Sequence, residues 1–404
     1  MSVAAQEECV ILAADIRFPL ERANGVQIVK TAHALARQGA HTTLLVRNSD
    51  PRPSDEILSL YGLEPTPRLH VVRLQVGHAR GSNTRPRLRY LAHAGWAAVR
   101  ARRRATFFTR DLQLAELLLL FRPLRPRIVY EAHAVEALMY RERGVLYGRE
   151  EQPRAKKAAR LKRREGHVWG RAHGFVTTTL GIRDTFLETH GFRDVARTRV
   201  IPNGCDVDVQ GGFPELPRNA APRVLYAGQL YPWKGVDVLV EAIAQVPEAR
   251  LVILGGMDGE PDFERIRARV DAFGLATRTE LLGTIPQAQV ASQLERSDVV
   301  VVPVLRSVMT ERHMSPIKAL EAMAAGRPIV ASDLASCREL LQDQKTAWLV
   351  PPGDAGALAH AVSGLINNPS LAERLARGAW ERAPSFSWDA RAGHLIDLFR
   401  GIAL

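Results

Sequence analysis

Ser315, Pro316, Ile317, Lys318 and Glu321 stand in one stretch, "SPIKALEAMAAGRPIVASD", whose residue types can hold an anion and a sugar diol. The Ser-Pro pair predicts a helix start, with Ser315 as the N-cap and Pro316 at the first helical position. Free backbone N–H groups, the positive end of the helix dipole and the Lys318 ammonium suit a phosphate. One turn on, Glu321 offers two acceptor oxygens to vicinal hydroxyls such as those of a ribose. A second stretch, "YAGQLYPWKGVDVLVEAI", ends a strand at Ala227, opens a loop at Gly228 and brings Lys234 and Gly235 to the next helix. Glycine lets the backbone approach a ligand, and Lys234 meets a diphosphate as a point charge. Either stretch alone describes a solvated helix start. Two of them at the carboxyl edge of one sheet are less easily dismissed.

The elements that must position these residues follow from the hydrophobic pattern. Short Val- and Ile-rich runs alternate with helix-period stretches, the pattern of parallel sheets covered by helices. Strands are expected near 10–14, 41–46, 70–74, 106–110, 127–131, 174–178 and 198–202. After the Gly-, Pro- and Asn-rich break at 205–222, the alternation restarts near 223–227, 250–255, 279–282, 298–303, 328–331 and 347–350. With 404 residues, two domains are the natural prior. The expected division is an N-terminal domain over 1–204, a linker over 205–222, a C-terminal domain over 223–384 and a last helix over 385–404 that crosses back to the first domain. Doubly wound sheets bind ligands beyond their strands' carboxyl ends, so the site is expected in a cleft between the domains.

A hydrophobic share of 46% and a charged share of 24% describe a soluble globular protein. No apolar run reaches the roughly 18 to 20 residues of a spanning helix, and no basic leader precedes the first apolar run. A cytoplasmic protein is the expectation. Cys9, Cys205 and Cys337 lie far apart with no metal-ligand spacing, so they are expected as reduced thiols and no metal site is foreseen. The formal charge of +12 calls for an anionic partner. No groove-entering motif argues for nucleic acid.

Taken together with "ANGVQIVKTAHALARQGAHTTLLV", "VIPNGCD" and "LVILGG", these motifs resemble the retaining glycosyltransferases of family 4 over nearly the whole chain. The resemblance implies the GT-B fold, two doubly wound Rossmann-like domains. It implies transfer of a sugar from a nucleotide diphosphate sugar to an acceptor hydroxyl with retained anomeric configuration, in glycoconjugate synthesis. It places Lys234 on the diphosphate, Glu321 on the ribose, and Ile317 and Lys318 along the phosphates and sugar. His133, at the strand end in "IVYEAHAVE", is implied to face the donor sugar, and Asn24 and Gly25 the diphosphate and acceptor. Two positions depart from the family pattern: His313 stands where a Glu often meets the sugar, with Glu311 two residues away, and Gln229 stands where an Arg is common. The implied catalytic set is His133, Lys234 and Glu321, with no metal and no cofactor beyond the nucleotide sugar. A sugar-nucleotide epimerase, a phosphorylase or a non-catalytic nucleotide-sugar binder remain the alternatives. Donor sugar, base and acceptor stay open.

Between residues 80 and 110 the chain carries nine arginines and no acidic residue. As a helix over 85–104, this segment puts Arg85, Arg89, Trp96, Arg100 and Arg103 on one face and Leu91, Ala94 and Ala98 on the other. Trp among arginines suits an anionic headgroup layer, and the basic run over 154–167 could extend that surface. A peripheral position at the inner face of the membrane, with a lipid-linked acceptor, is the expectation.

Overall fold

The computed structural model describes residues 7–20, 22–75, 84–101, 105–120, 127–148, 152–208 and 211–402. The chain divides into two compact units, Met1–Ala137 with Arg154–Pro202 and Trp388–Leu404, and Leu138–Pro153 with Asn203–Ser387.

The first half runs β1 (Cys9–Phe18), α1 (Ala23–Arg37), β2 (His41–Asn48), α2 (Ser54–Ser59), β3 (Leu69–Leu74), α3 (Thr84–Ala101) and β4 (Thr106–Thr109). It continues through α4 (Leu112–Leu120), β5 (Arg127–Ala132), α5 (Glu136–Leu146), α6 (Ala155–Arg171), β6 (Gly174–Thr177), α7 (Leu180–His190) and β7 (Thr198–Val200). The seven strands pair in the order β3-β2-β1-β4-β5-β6-β7, with parallel registers throughout. Burial on both faces explains why β4 and β6 are apolar or Thr at every position.

The second half begins with β8 (Arg223–Ala227), α8 (Val236–Ala244), β9 (Arg250–Leu254), α9 (Pro261–Ala272), β10 (Thr279–Gly283) and α10 (Gln287–Glu295). Then come β11 (Val299–Val302), α11 (Val308–Arg312), α12 (Ile317–Ala324), β12 (Ile329–Ser332), α13 (Ala335–Arg338), β13 (Trp348–Val350), α14 (Ala355–Asn367), α15 (Pro369–Arg382) and α16 (Trp388–Gly401). Its six strands pair in parallel in the order β10-β9-β8-β11-β12-β13. All four valines of β11 are buried in the middle of that sheet.

Every expected strand is present, but the boundaries between units differ from the sequence reading. The segment 205–222 is no free linker. Arg327, fully buried, donates to the carbonyls of Glu215, Glu295 and Ala325, and Phe213 packs edge-on against Trp380 at 5.8 Å between ring centroids. Carbonyls buried against a guanidinium must stay paired, so this stretch is bound to the second unit. Leu138–Pro153 also belongs to that unit. Tyr147 meets Tyr231 edge-on at 4.8 Å, and Glu142 accepts the Met309 N–H at 3.3 Å. The last helix, α16, belongs to the first unit. Its Leu395, Leu398 and Phe399 are buried in that unit's core, each worth roughly 1.5–3 kcal/mol of burial.

Candidate functional site

In the second unit, the loop after β8 carries Lys234 and the loop after β11 leads to α12. β8 and β11 are neighbours where the strand order reverses, the point at which open α/β sheets take their ligands. Tyr226 donates its hydroxyl hydrogen to the Gln229 carbonyl at 2.6 Å, bracing the loop that Gly228 opens. A single 3-10 turn over Pro232–Lys234 follows, and Gly235 leaves it with φ 73°. A Cβ there would lie 1.8 Å from the Pro303 carbonyl oxygen, so only glycine fits. The Lys234 ammonium rests 4.1 Å from the Trp233 ring centroid. Burial pushes its pKa down to about 8, with Cys337 opposing.

Helix α12 starts differently from expectation. Its N-cap is Pro316, in extended backbone, and no side chain caps it. Ser315 is turned to Asn203 instead: its hydroxyl accepts the Asn203 N–H at 3.1 Å, and its carbonyl accepts from Asn203 Nδ2 at 2.8 Å. Proline's extended conformation postpones the helix to Ile317, so the first-turn N–H groups of α12 carry no side-chain acceptor. Lys318 Nζ lies 2.7 Å from Glu321 Oε2. Gln287, at the start of α10, donates to Glu321 Oε1 at 2.8 Å. Glu321 is thus held by an ammonium and an amide, the two donor types that hydroxyls would replace. Sequence reasoning missed Gln287, because one glutamine at a helix start carries no signal.

His313 and Glu311 are both engaged. The His313 ring is buried, with Nδ1 3.2 Å from Met309 Sδ, and burial, with Arg312, pushes its pKa down to about 4. Glu311 accepts from Arg306 at 2.6 Å and from the Ala335 N–H at 3.1 Å. Its carboxylate is committed to the start of α13 and does not stand in for the missing one at 313.

In the first unit, Asn24 and Gly25 form the first turn of α1 rather than a separate loop turn. A Cβ at Gly25 would fall 1.8 Å from the Leu20 carbonyl oxygen, so the glycine answers a close backbone approach. The N-cap of α1, Arg22, makes no side-chain cap either. His133 follows β5 directly, with its side chain 19% exposed and Nε2 3.0 Å from Glu131 Oε2. Burial pushes the His133 pKa down to about 4, Arg110 adding to it and Glu131 opposing. Burial also works to raise the pKa of Glu131, but Arg391, then His133, hold its carboxyl well below the usual range. Glu131 had a signal in the sequence: a carboxylate inside the apolar run "RIVYEA" is rarely buried without partners. Arg391 had none.

The basic helix α3 ends at Ala101, and Arg103 lies outside the described residues. Leu91, Ala94 and Ala98 are buried as expected. Trp96 is 60% exposed, with the Arg100 guanidinium 4.3 Å from its ring centroid, and Arg89 and Leu88 share the exposed side. Arg85 lies in the first turn. Arg87 turns inward instead, donating to Asp15 at 2.9 Å and to Asp111. Among the described residues no cluster of His, Cys, Asp and Glu could hold a metal ion, and no helix is long and apolar enough to cross a membrane.

The family description "Glycosyltransferase Family 4" matches residues 25–209, and "Glycosyl transferases group 1" matches 221–368. The phosphatidyl-myo-inositol mannosyltransferase of Mycobacterium leprae is 34% identical over 211 residues, covering 50% of this chain and 53% of its own. The D-inositol 3-phosphate glycosyltransferase of Xylanimonas cellulosilytica is 29% identical over 252 residues, covering 58% of each chain. This chain spans about half the length of the curated relatives it matches. Among solved structures, sucrose-phosphate synthase from Thermosynechococcus elongatus superposes with a TM-score of 0.74 at 24% identity over 98% of both chains. An Anabaena protein solved with UDP and glucose gives 0.71 at 17% identity, over 97% of this chain and 99% of its own. These structures share the two-domain GT-B fold seen here. With its two halves matched in succession and both sheets doubly wound, the chain belongs to glycosyltransferase family 4.

Proposed function

We propose that the protein transfers a sugar from a nucleotide diphosphate sugar to an acceptor hydroxyl, with retention at the anomeric carbon. The observation that carries this is the pair of cationic sites beyond neighbouring strands: Lys234 after β8, and the side-chain-free start of α12 with Lys318 and Glu321 after β11. Relatives named for mannosyl and glycosyl transfer and a neighbour holding UDP and glucose support a nucleotide-sugar donor.

In this mechanism the ribose hydroxyls displace Lys318 and Gln287 from Glu321, which frees Lys318 for the phosphates. The bond from the anomeric carbon to the phosphate oxygen breaks, and the acceptor oxygen bonds to that carbon on the same face. The acceptor's proton passes to the leaving phosphate oxygen. Lys234, Lys318 and the α12 N–H groups stabilise the charge growing on the diphosphate, so transfer needs no metal, and His133 orients the sugar. His313, buried at the end of α11, is assigned a part in donor preference through packing. The acceptor side is assigned to Asn24, Gly25 and the carboxyl edge of the first sheet. A polyol-bearing acceptor at a membrane fits both the inositol-containing names of the relatives and the basic, Trp-bearing side of α3. The protein is accordingly a cytoplasmic, peripheral one.

Calorimetric titration with UDP and other nucleoside diphosphates tests the donor assignment. Glu321→Ala removes a charged acceptor, a loss of roughly 1.5–3 kcal/mol, or about 10- to 150-fold in affinity. Unchanged affinity for every nucleotide overturns the ribose role. Transfer that persists in excess chelator is expected, and loss restored by magnesium or manganese overturns the metal-free mechanism.

A further inference from the structure

A buried polar network ties the C-terminal helix to the strand that carries His133. Arg391 of α16 is 2% exposed and uses its whole guanidinium. Nε donates to Thr31 Oγ1 of α1 at 3.2 Å, and Nη1 donates to the Ile201 and Pro202 carbonyls at 2.9 and 2.6 Å. Nη2 pairs with Glu131 Oε1. The other carboxylate oxygen, Oε2, accepts from Gln27 Nε2 at 3.1 Å and lies 3.0 Å from His133 Nε2. Gln27 cannot turn its amide round, because its Oε1 accepts from Arg110 at 2.9 Å. Packing α16 on α1 would need only apolar side chains, and buried ion pairs are poor substitutes for them in stability. This one leads to a histidine.

We propose that Arg391 is a positioning residue for His133: by holding Glu131 ionised and turned toward the imidazole, it keeps the proton on Nε2 and leaves Nδ1 as an acceptor for a donor-sugar hydroxyl. The proposal rests on the reading above that His133 meets the sugar. The chemistry follows from the imidazole's two nitrogens. A neutral ring with its hydrogen on Nε2 offers a lone pair at Nδ1, whereas an imidazolium offers only donors. Four groups set which form is present: Glu131 on the same strand, Arg110 at the end of β4, Gln27 on α1 and Arg391 on α16. Glu136 bears on Arg110 in turn. Burial first, then two guanidinium groups against one carboxylate, keep the ring neutral. If Arg391 is lost, Glu131 keeps one cation nearby, and the ring becomes the nearest group able to take up a proton.

The test is nitrogen NMR of the histidine rings in the intact, ligand-free protein, with His133 assigned from the spectrum of His133→Ala. The wild type should show a neutral ring bearing its hydrogen on Nε2 at pH 6. In Arg391→Gln, which can still donate to the carbonyls, the His133 midpoint should rise above its wild-type value of about 4. With the donor selected from a panel of nucleotide sugars, kcat/KM of this variant should then acquire an acid limb, falling about tenfold per pH unit below the new midpoint. Arg391→Lys keeps the charge and should keep the wild-type midpoint. An unmoved midpoint in Arg391→Gln overturns the proposal, and so does a wild-type ring protonated, or carrying its hydrogen on Nδ1, at pH 6. The wild-type spectrum decides even if Arg391→Gln does not fold. Transfer left unchanged by His133→Ala would instead sink the sugar-facing role of His133, a separate failure that the spectra cannot cause.

Discussion

Lys234 carries a proton that burial has made easier to lose. Its pKa of about 8 lies below the usual lysine value near 10.4, so the unliganded side chain is charged at pH 7 and mostly neutral at pH 9. A bound diphosphate restores the charged form, and binding therefore takes up a proton above pH 8. UDP affinity is expected to be flat from pH 6 to 7.5 and to fall by up to about tenfold per pH unit above 8. Calorimetry in buffers of different ionisation enthalpy should show the proton uptake at pH 8.5, and Lys234→Ala should abolish it. An equal pH dependence in that variant would take the charge on the diphosphate away from Lys234. At this scale the sequence marked Lys234, Lys318 and Glu321 by type and spacing. The partners Gln287 and Arg391 are distant in the chain and nothing local distinguishes them, whereas Glu131 stands out only as a carboxylate inside an apolar run.

Between residues and the whole molecule, α5 shows how one element answers to another. Its first N–H groups, of Glu136 and Ala137, donate to the Glu165 carboxyl of α6. Burial pushes the Glu165 pKa up to about 8, partly offset by those donors and reinforced by Glu136. A folded-state pKa above the unfolded value near 4.3 means that the folded protein holds the extra proton. Stability from this group is then fully present below about pH 4.3 and is lost as pH rises to about 8. Glu165→Gln keeps an acceptor oxygen without the charge. It should leave the melting temperature nearly unchanged at pH 5 and raise it at pH 8.5; equal shifts at both pH values would show Glu165 already ionised. Periodicity told helix from strand along the chain because apolar spacing is local. It misread the start of α12, since whether Ser315 caps depends on Asn203, far away in sequence.

For the whole molecule the charge of +12 remains to be placed, and the exposed side of α3 with the basic face of α6 takes much of it. Co-sedimentation should show binding to anionic vesicles at low salt and release as salt rises, since each basic residue near such a surface contributes about 1 kcal/mol. Trp96→Ser and Arg100→Ser together should weaken this binding at least tenfold without changing UDP affinity. Binding that ignores both salt and these changes would leave the charge as ordinary solvated surface. The sequence by itself determined the two doubly wound sheets, the strand inventory and the family, because hydrophobic alternation and motif spacing are short-range properties. Only the tertiary structure decided that 205–222 and Leu138–Pro153 are bound to the second unit. The same holds for Glu321, which is met by Gln287, and for His133, which is held through Glu131 by Arg391. The physical reason is common to these cases: buried carbonyls and charges must find partners wherever the fold brings donors, and that pairing is blind to distance along the chain.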